Sequence, residues 1–166
     1  MLALELFLQT SVQMGTHILI ATLGGILCEK IGNTNLGIAG MMLMGAAVGF
    51  KTALATANPL LAFFVAGLAG LLGALIYAFI TVTLRGNQVV TGLVLTIFGT
   101  GVSGFIGKSL AGKSLPESIS NFFAAKTIPL LNKIPIIGKM FFDQSVYVYF
   151  GIFAAILMYL YFKYTQ

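Results

Sequence analysis

The sequence predicts an all-α fold: a polytopic transmembrane helical bundle of about five membrane segments with two broken helices. Three observations carry that prediction. Hydrophobic residues make up 58% of the 166 positions and charged residues only 8%. An ordinary soluble domain is about 25% charged, so this chain cannot cover itself with a solvated surface. Charge-free stretches run 6–28, 31–50, 52–84, 86–107 and 144–162, and about 20 apolar residues suffice to cross a bilayer. Finally, two polar, glycine-bearing segments, Glu29–Gly40 and Arg85–Gly92, interrupt the apolar runs.

The elements follow in order. A first helix is expected over about 7–28, and a second from about 36 to 50 after the first polar break. Asn58-Pro59 marks a turn, because proline disfavours helix in the residue before it. A third helix is expected over about 60–84 and a fourth over about 88–107. Residues 108–145 form the one long loop, and a last helix occupies about 146–163. The chain reads as a single transmembrane domain, 1–166. Its start lacks the basic residues of a cleaved leader, and its first apolar run is too long for one.

The third helix carries a packing signal. Ala62, Ala66, Gly70, Ala74 and Ala78 recur every four residues and form a small-residue ridge, with Gly67 and Gly73 beside it. Such a ridge lets a neighbouring helix approach backbone to backbone. Gly45 and Gly49 repeat the pattern in the second helix, and Gly37 and Gly40 join the packing set. Gly101, Gly104 and Gly107 thin one side of the fourth helix. Tight bundle packing explains all of these, and no chemistry follows from them.

Several conspicuous features carry little function. Gly107-Lys108-Ser109-Leu110-Ala111-Gly112-Lys113-Ser114 matches the phosphate-loop pattern letter for letter. That pattern needs a strand before it and a helix after it. Here a membrane helix precedes it and Pro116 follows, so nucleotide hydrolysis is not expected. The single Cys28 excludes an internal disulfide, and neither a metal site nor a cofactor is expected. The net charge of +5 is only weak evidence for nucleic acid, which is not expected as a partner. Five of the nine basic residues (Lys108, Lys113, Lys126, Lys133 and Lys139) lie in the long loop, where membrane topology accounts for them.

Two ionisable residues remain. His17 sits at the middle of the first run, where an ionisable group is costly. A neutral imidazole bonded to a neighbouring helix is the simpler reading. Glu29, at a helix end, admits a structural or a functional role. Asn33, Asn35, Asn87 and Gln88 cluster in the two breaks and offer donors and acceptors suited to a neutral solute. They could cap helix ends or line a path. Interrupted helices with polar side chains at membrane depth are how transporters build a substrate path, so the breaks point to transport.

These residues also carry a family resemblance. Leu23-Gly24-Gly25, Glu29, Gly32, Asn35-Leu36-Gly37-Ile38 and Gly40-Met41-Met42-Leu43-Met44-Gly45-Ala46 resemble the permeases of nucleoside and simple-sugar ABC importers. Asn87-Gln88-Val89-Val90-Thr91-Gly92 is similar to that family's second signature. The loop Ile128–Gly138 resembles the nucleoside branch. The resemblance implies a permease for a nucleoside or similar neutral solute in the bacterial inner membrane. It implies as partners an ATP-binding subunit, an extracytoplasmic substrate-binding lipoprotein and membrane lipid. From the breaks themselves, Asn35, Asn87 and Gln88 are the expected path residues, with Glu29 shaping the first break, and helix packing is expected of Gly37, Gly40, Gly45, Ala66, Gly70 and Ala74.

The chain departs from the family at Ala39, where a glutamate is usual, and at His17, where a proline is common. It resembles an N-terminal half, so a second permease subunit or a C-terminal half is implied to complete it. If all five runs cross, Lys51 and the long loop share one side, with six basic residues against three (Lys30, Arg85 and Lys163). Charge alone would put that side in the cytoplasm. The resemblance puts the loop outside, and that orientation is adopted. The competing reading is a self-contained oligomeric scaffold or passive pore.

Overall fold

The computed structural model describes residues 2–127 and 143–165. The resembling loop Ile128–Gly138, with Lys133, and Lys139 beyond it lie outside the described residues. Helices α1 (Leu2–Lys30), α2 (Ile38–Thr56), α3 (Pro59–Ala78), α4 (Gln88–Lys108), α5 (Glu117–Phe123) and α6 (Val146–Tyr164) make up nearly all of it. A two-residue antiparallel pair, β1 (Lys126–Thr127) with β2 (Asp143–Gln144), precedes α6. Among the described residues, five helical stretches are long and apolar enough to cross a membrane: Leu4–Lys30, Ile38–Thr56, Pro59–Thr83, Gln88–Lys108 and Val146–Tyr164. The fold is all-α and polytopic.

The helix ends differ from expectation for local reasons. α1 runs through Glu5 and Lys30, whose charges stand at the ends that suit the helix dipole. α2 passes Lys51 and continues to Thr56, since a lysine near a helix end can carry its charge out along its own stem. What stops α2 is Pro59. Asn58 caps α3, its Oδ1 accepting from Leu60 N at 3.0 Å and Leu61 N at 3.2 Å, with Pro59 at the first helical position. The short α5 in the long loop has no counterpart among the expected elements.

The α2–α3 turn holds Ala57 at φ 50°, in the left-handed region. A side chain there costs about 1–2 kcal/mol. Ala57→Gly is therefore expected to stabilise the chain by about 1 kcal/mol, read as a higher melting temperature in detergent. An unchanged or lower melting temperature would show that this turn is not strained.

The chain divides into two compact units. One comprises residues through Gly24 together with those from Phe123 onward. In it α1 crosses α6 at Gly151, where a Cβ would lie 2.6 Å from Thr16 Cγ2. Gln9 Nε2 donates to Asp143 O at 2.6 Å. The His17 ring stacks on Tyr147, centroids 5.1 Å apart and planes 14° from parallel.

The other unit comprises Gly25–Phe122. Gly49 lies against Ala62 and Ala66, Gly45 against Ala66 and Gly70, and Met41 against Gly73. The numbers fall on one helix as they rise on the other, so α2 and α3 are antiparallel. α4 packs on the other flank of α2 in parallel: Leu36 and Gly37 meet Gly92, and Gly40 meets Leu95, Thr96 and Gly99. Met41, Tyr77 and Leu95, with Ala74 beside them, form the core between the three helices. This arrangement gathers the start of α2, the end of α3 and the start of α4 at one end of the unit.

Candidate functional site

The first polar segment begins where α1 stops. Gly32, at φ 77°, turns the chain. Gly32 N donates to Glu29 O and Asn33 N to Cys28 O, both at 2.9 Å. This paired arrangement satisfies the last carbonyls of a helix and needs a residue that tolerates the left-handed region. Residues 33–37 then run without helix into α2. The Asn35 side chain closes a small turn, its Oδ1 accepting from Gly37 N at 2.8 Å.

The second segment leaves α3 through a wider turn. Phe79–Thr83 is a π-helix, closed by Leu84 N donating to Phe79 O at 3.1 Å. π-turns inside longer helices recur at functional sites. Arg85 follows at φ 53°, and Gly86 N donates to Ile80 O at 2.9 Å. Asn87 then caps α4, its Oδ1 accepting from Val90 N at 3.1 Å.

These two segments, far apart in sequence, meet. Gln88 Oε1 accepts from Thr34 N at 3.0 Å. Thr96 Oγ1 donates to Leu36 O at 2.9 Å. Tyr77, buried at 4% exposure, brings its hydroxyl to Asn33 Oδ1 at 2.6 Å and to Thr34 O at 3.0 Å. Residues 34–36 thus lie along the first two turns of α4, from Gln88 to Thr96, a depth of about 12 Å. Irregular backbone at that depth survives in a membrane only where protein or a watery cavity supplies its hydrogen bonds. Gln88, Tyr77, Thr96 and Asn35 supply them here.

The residues singled out in the sequence fall as follows. Asn35 and Gln88 are half-buried in this junction, and Asn87 is exposed at its rim. All three side-chain oxygens accept from backbone N–H groups, which fixes the orientation of each amide. Among the described residues their NH₂ groups have no protein partner, so each of the three keeps an unused amide donor. Glu29 is exposed in the last turn of α1 and contributes its backbone carbonyl to the turn. Ala39 is exposed at the start of α2.

Of the packing set, Gly37 and Gly40 lie in the α2–α4 contact, while Gly45, Ala66 and Gly70 lie between α2 and α3. Ala74 packs on the core.

Sequence reasoning missed Tyr77 and Thr96. Tyr77 is a polar tip within an apolar run, and a buried tyrosine hydroxyl usually has a partner. That was the available signal. Tyr77→Phe keeps the ring in the core but strips the hydroxyl from Asn33 and Thr34. It is expected to destabilise the chain by about 1–3 kcal/mol, measured by unfolding in detergent. A neutral result would show that water or another group takes over the bond.

The junction offers side-chain amide donors and backbone carbonyls, groups whose chemistry suits a neutral solute better than an ion. Among the described residues no three His, Cys, Asp or Glu side chains gather to hold a metal.

Comparison with known proteins gives consistent results. Residues 7–166 match the family described as branched-chain amino acid transport system, permease component. A protein of Haloferax volcanii provisionally named a glucose ABC transporter permease is 36% identical over 151 residues, covering 89% of this chain and 44% of that protein. A guanosine ABC transporter permease of Bacillus subtilis is 31% identical over 150 residues, covering 87% and 47%. A nucleoside ABC transporter permease of Lactococcus lactis is 30% identical over 148 residues, covering 86% and 46%. The chain therefore spans less than half the length of each of these relatives. No solved structure matches it at comparable stringency.

Proposed function

This chain belongs to the branched-chain amino acid transport system permease family, and from that premise we propose that it forms part of the solute path of an ABC importer. The solute is a nucleoside or a similar neutral, hydroxyl-bearing molecule. The observation that carries this reading is the junction of residues 33–37 with Asn87 and Gln88, where three amide donors stand beside irregular backbone at helix depth. Relatives named for glucose, guanosine and nucleosides support the choice of solute.

In this reading a separate ATP-binding subunit hydrolyses ATP and drives the cycle. An extracytoplasmic lipoprotein delivers the solute. A second set of permease helices, in a C-terminal continuation or another subunit, faces the junction and completes the path. The site is a bacterial inner membrane, with the long loop outside and the junction toward the cytoplasm. Glu29 shapes the first turn of the path. Family membership favours the importer over a self-contained scaffold or pore.

The test is uptake of radiolabelled guanosine by cells carrying the complete transporter. Replacing Asn35, Asn87 and Gln88 together by alanine is expected to cut uptake at least tenfold at unchanged membrane abundance. Uptake that survives the triple substitution would remove these residues from the path.

A further inference from the structure

An apolar groove runs between the end of α3 and the start of α4, beside the amide junction and sharing Tyr77 with it. Tyr77 and Leu95 form its buried floor. Ile76 and Ile80 wall it on one side, and Val90, Val94 and Phe98 on the other, enclosing about 320 Å³. Thr91 presents little polarity to it, because its hydroxyl donates to Asn87 O at 2.7 Å. The link 84–87 joins the two walls, and its Gly86 N bonds the carbonyl of the wall residue Ile80 at 2.9 Å. On that link stands Arg85, exposed and, among the described residues, without an acidic partner.

We propose that this groove with Arg85 is a binding site for one anionic phospholipid, its phosphate on the Arg85 guanidinium and one acyl chain in the groove. Three features support that occupant. The walls are aliphatic and aromatic, as an acyl chain requires, and they lie within membrane-spanning helices. The cation stands on the link that joins the two walls, between the end of the π-turn and the start of α4, where a membrane span reaches the level of a lipid headgroup. Guanidinium matches phosphate in geometry and stays charged at any relevant pH. Basic pockets between transmembrane helices hold anionic headgroups in this way.

The site has a structural consequence. The Tyr77 ring is the groove floor, while its hydroxyl holds Asn33 and Thr34. A bound acyl chain therefore packs against the residue that ties down the first polar segment. The inference rests on the groove and its cation, and stands whether or not the chain transports nucleosides.

Native mass spectrometry of the purified chain, released from nanodiscs of equal phosphatidylglycerol and phosphatidylcholine, tests it. The wild-type chain is expected to retain one phosphatidylglycerol with a roughly fivefold preference over phosphatidylcholine, the effect of one basic residue at a headgroup. Arg85→Gln is expected to retain the two lipids equally, and Arg85→Lys to keep the preference. Val94→Trp, which fills the groove, is expected to retain neither. Equal retention by the wild-type chain, an unchanged preference in Arg85→Gln, or unchanged retention in Val94→Trp would overturn the proposal. Release as a dimer without lipid would also overturn it, since a second copy would then cover the groove. The Arg85 variants keep the test decisive if Val94→Trp fails to fold.

Discussion

Gly99→Leu is expected to abolish both stable folding of residues 25–122 and guanosine uptake by the complete transporter. A Cβ at Gly99 would fall directly on the Gly40 backbone. From the other side, a Cβ at Gly40 would lie 2.5 Å from Leu95 O and 2.6 Å from Thr96 Cα. Real Cβ atoms do not approach backbone so closely, and backbone cannot rotate aside as a side chain can. Adding a methylene to a packed site costs about 1–3 kcal/mol even where neighbours can yield. Here α2 and α4 would have to separate, parting Thr34 from Gln88 and Leu36 from Thr96. Gly67 and Gly101 are the controls, because a Cβ at either meets nothing within 4 Å. Alanine at those positions is expected to be neutral or to stabilise by about 0.5–1 kcal/mol through its better helix propensity. Recovery of folded protein from membranes, measured beside uptake, separates the cases. Equal tolerance at Gly99 and Gly67 would contradict the close crossing.

The second large effect is at Gln88, where two roles can be pulled apart. Its Oε1 satisfies Thr34 N, and its NH₂ is one of the three donors of the junction. Gln88→Leu removes both. A half-buried backbone N–H left unpaired costs about 1–3 kcal/mol, so stability and uptake are both expected to fall. Gln88→Glu keeps an acceptor for Thr34 N but has no NH₂ group. It is expected to restore most of the stability while uptake stays at least tenfold below wild type. If Gln88→Glu restores both, the residue is a structural tie and does not touch the solute.

The helices were legible because a membrane span needs only a long apolar run, and this chain has five separated by charge or proline. Their ends were less so. Lys51 looked like a boundary, yet one lysine does not stop a helix, whereas the Asn58-Pro59 pair does. α5 went unseen in the long loop because a seven-residue helix carries too few turns to show a period.

The candidate site was legible in composition but not in geometry. The amides of both breaks stood out as polar groups among apolar runs. That the breaks meet depends on α2 and α4 running parallel in contact, and that contact is made by Gly40, Gly92 and Gly99. The ridge on α3 drew notice through its regular spacing. Gly92 and Gly99 have no such spacing, and their importance lies in which backbone faces them. Tyr77 stayed hidden for a related reason, since its ring belongs to the core and only its last atom belongs to the site.

The most direct test of the path is solute protection at single cysteines. In a Cys28→Ala background, Asn35→Cys, Asn87→Cys and Gln88→Cys are each labelled with a membrane-impermeant maleimide in inside-out vesicles carrying the complete transporter, with and without guanosine. The account predicts that all three label from water and that guanosine slows labelling at least threefold at each. Labelling unaffected by guanosine, or no labelling at any of the three, would contradict a solute path at the junction of the two polar segments.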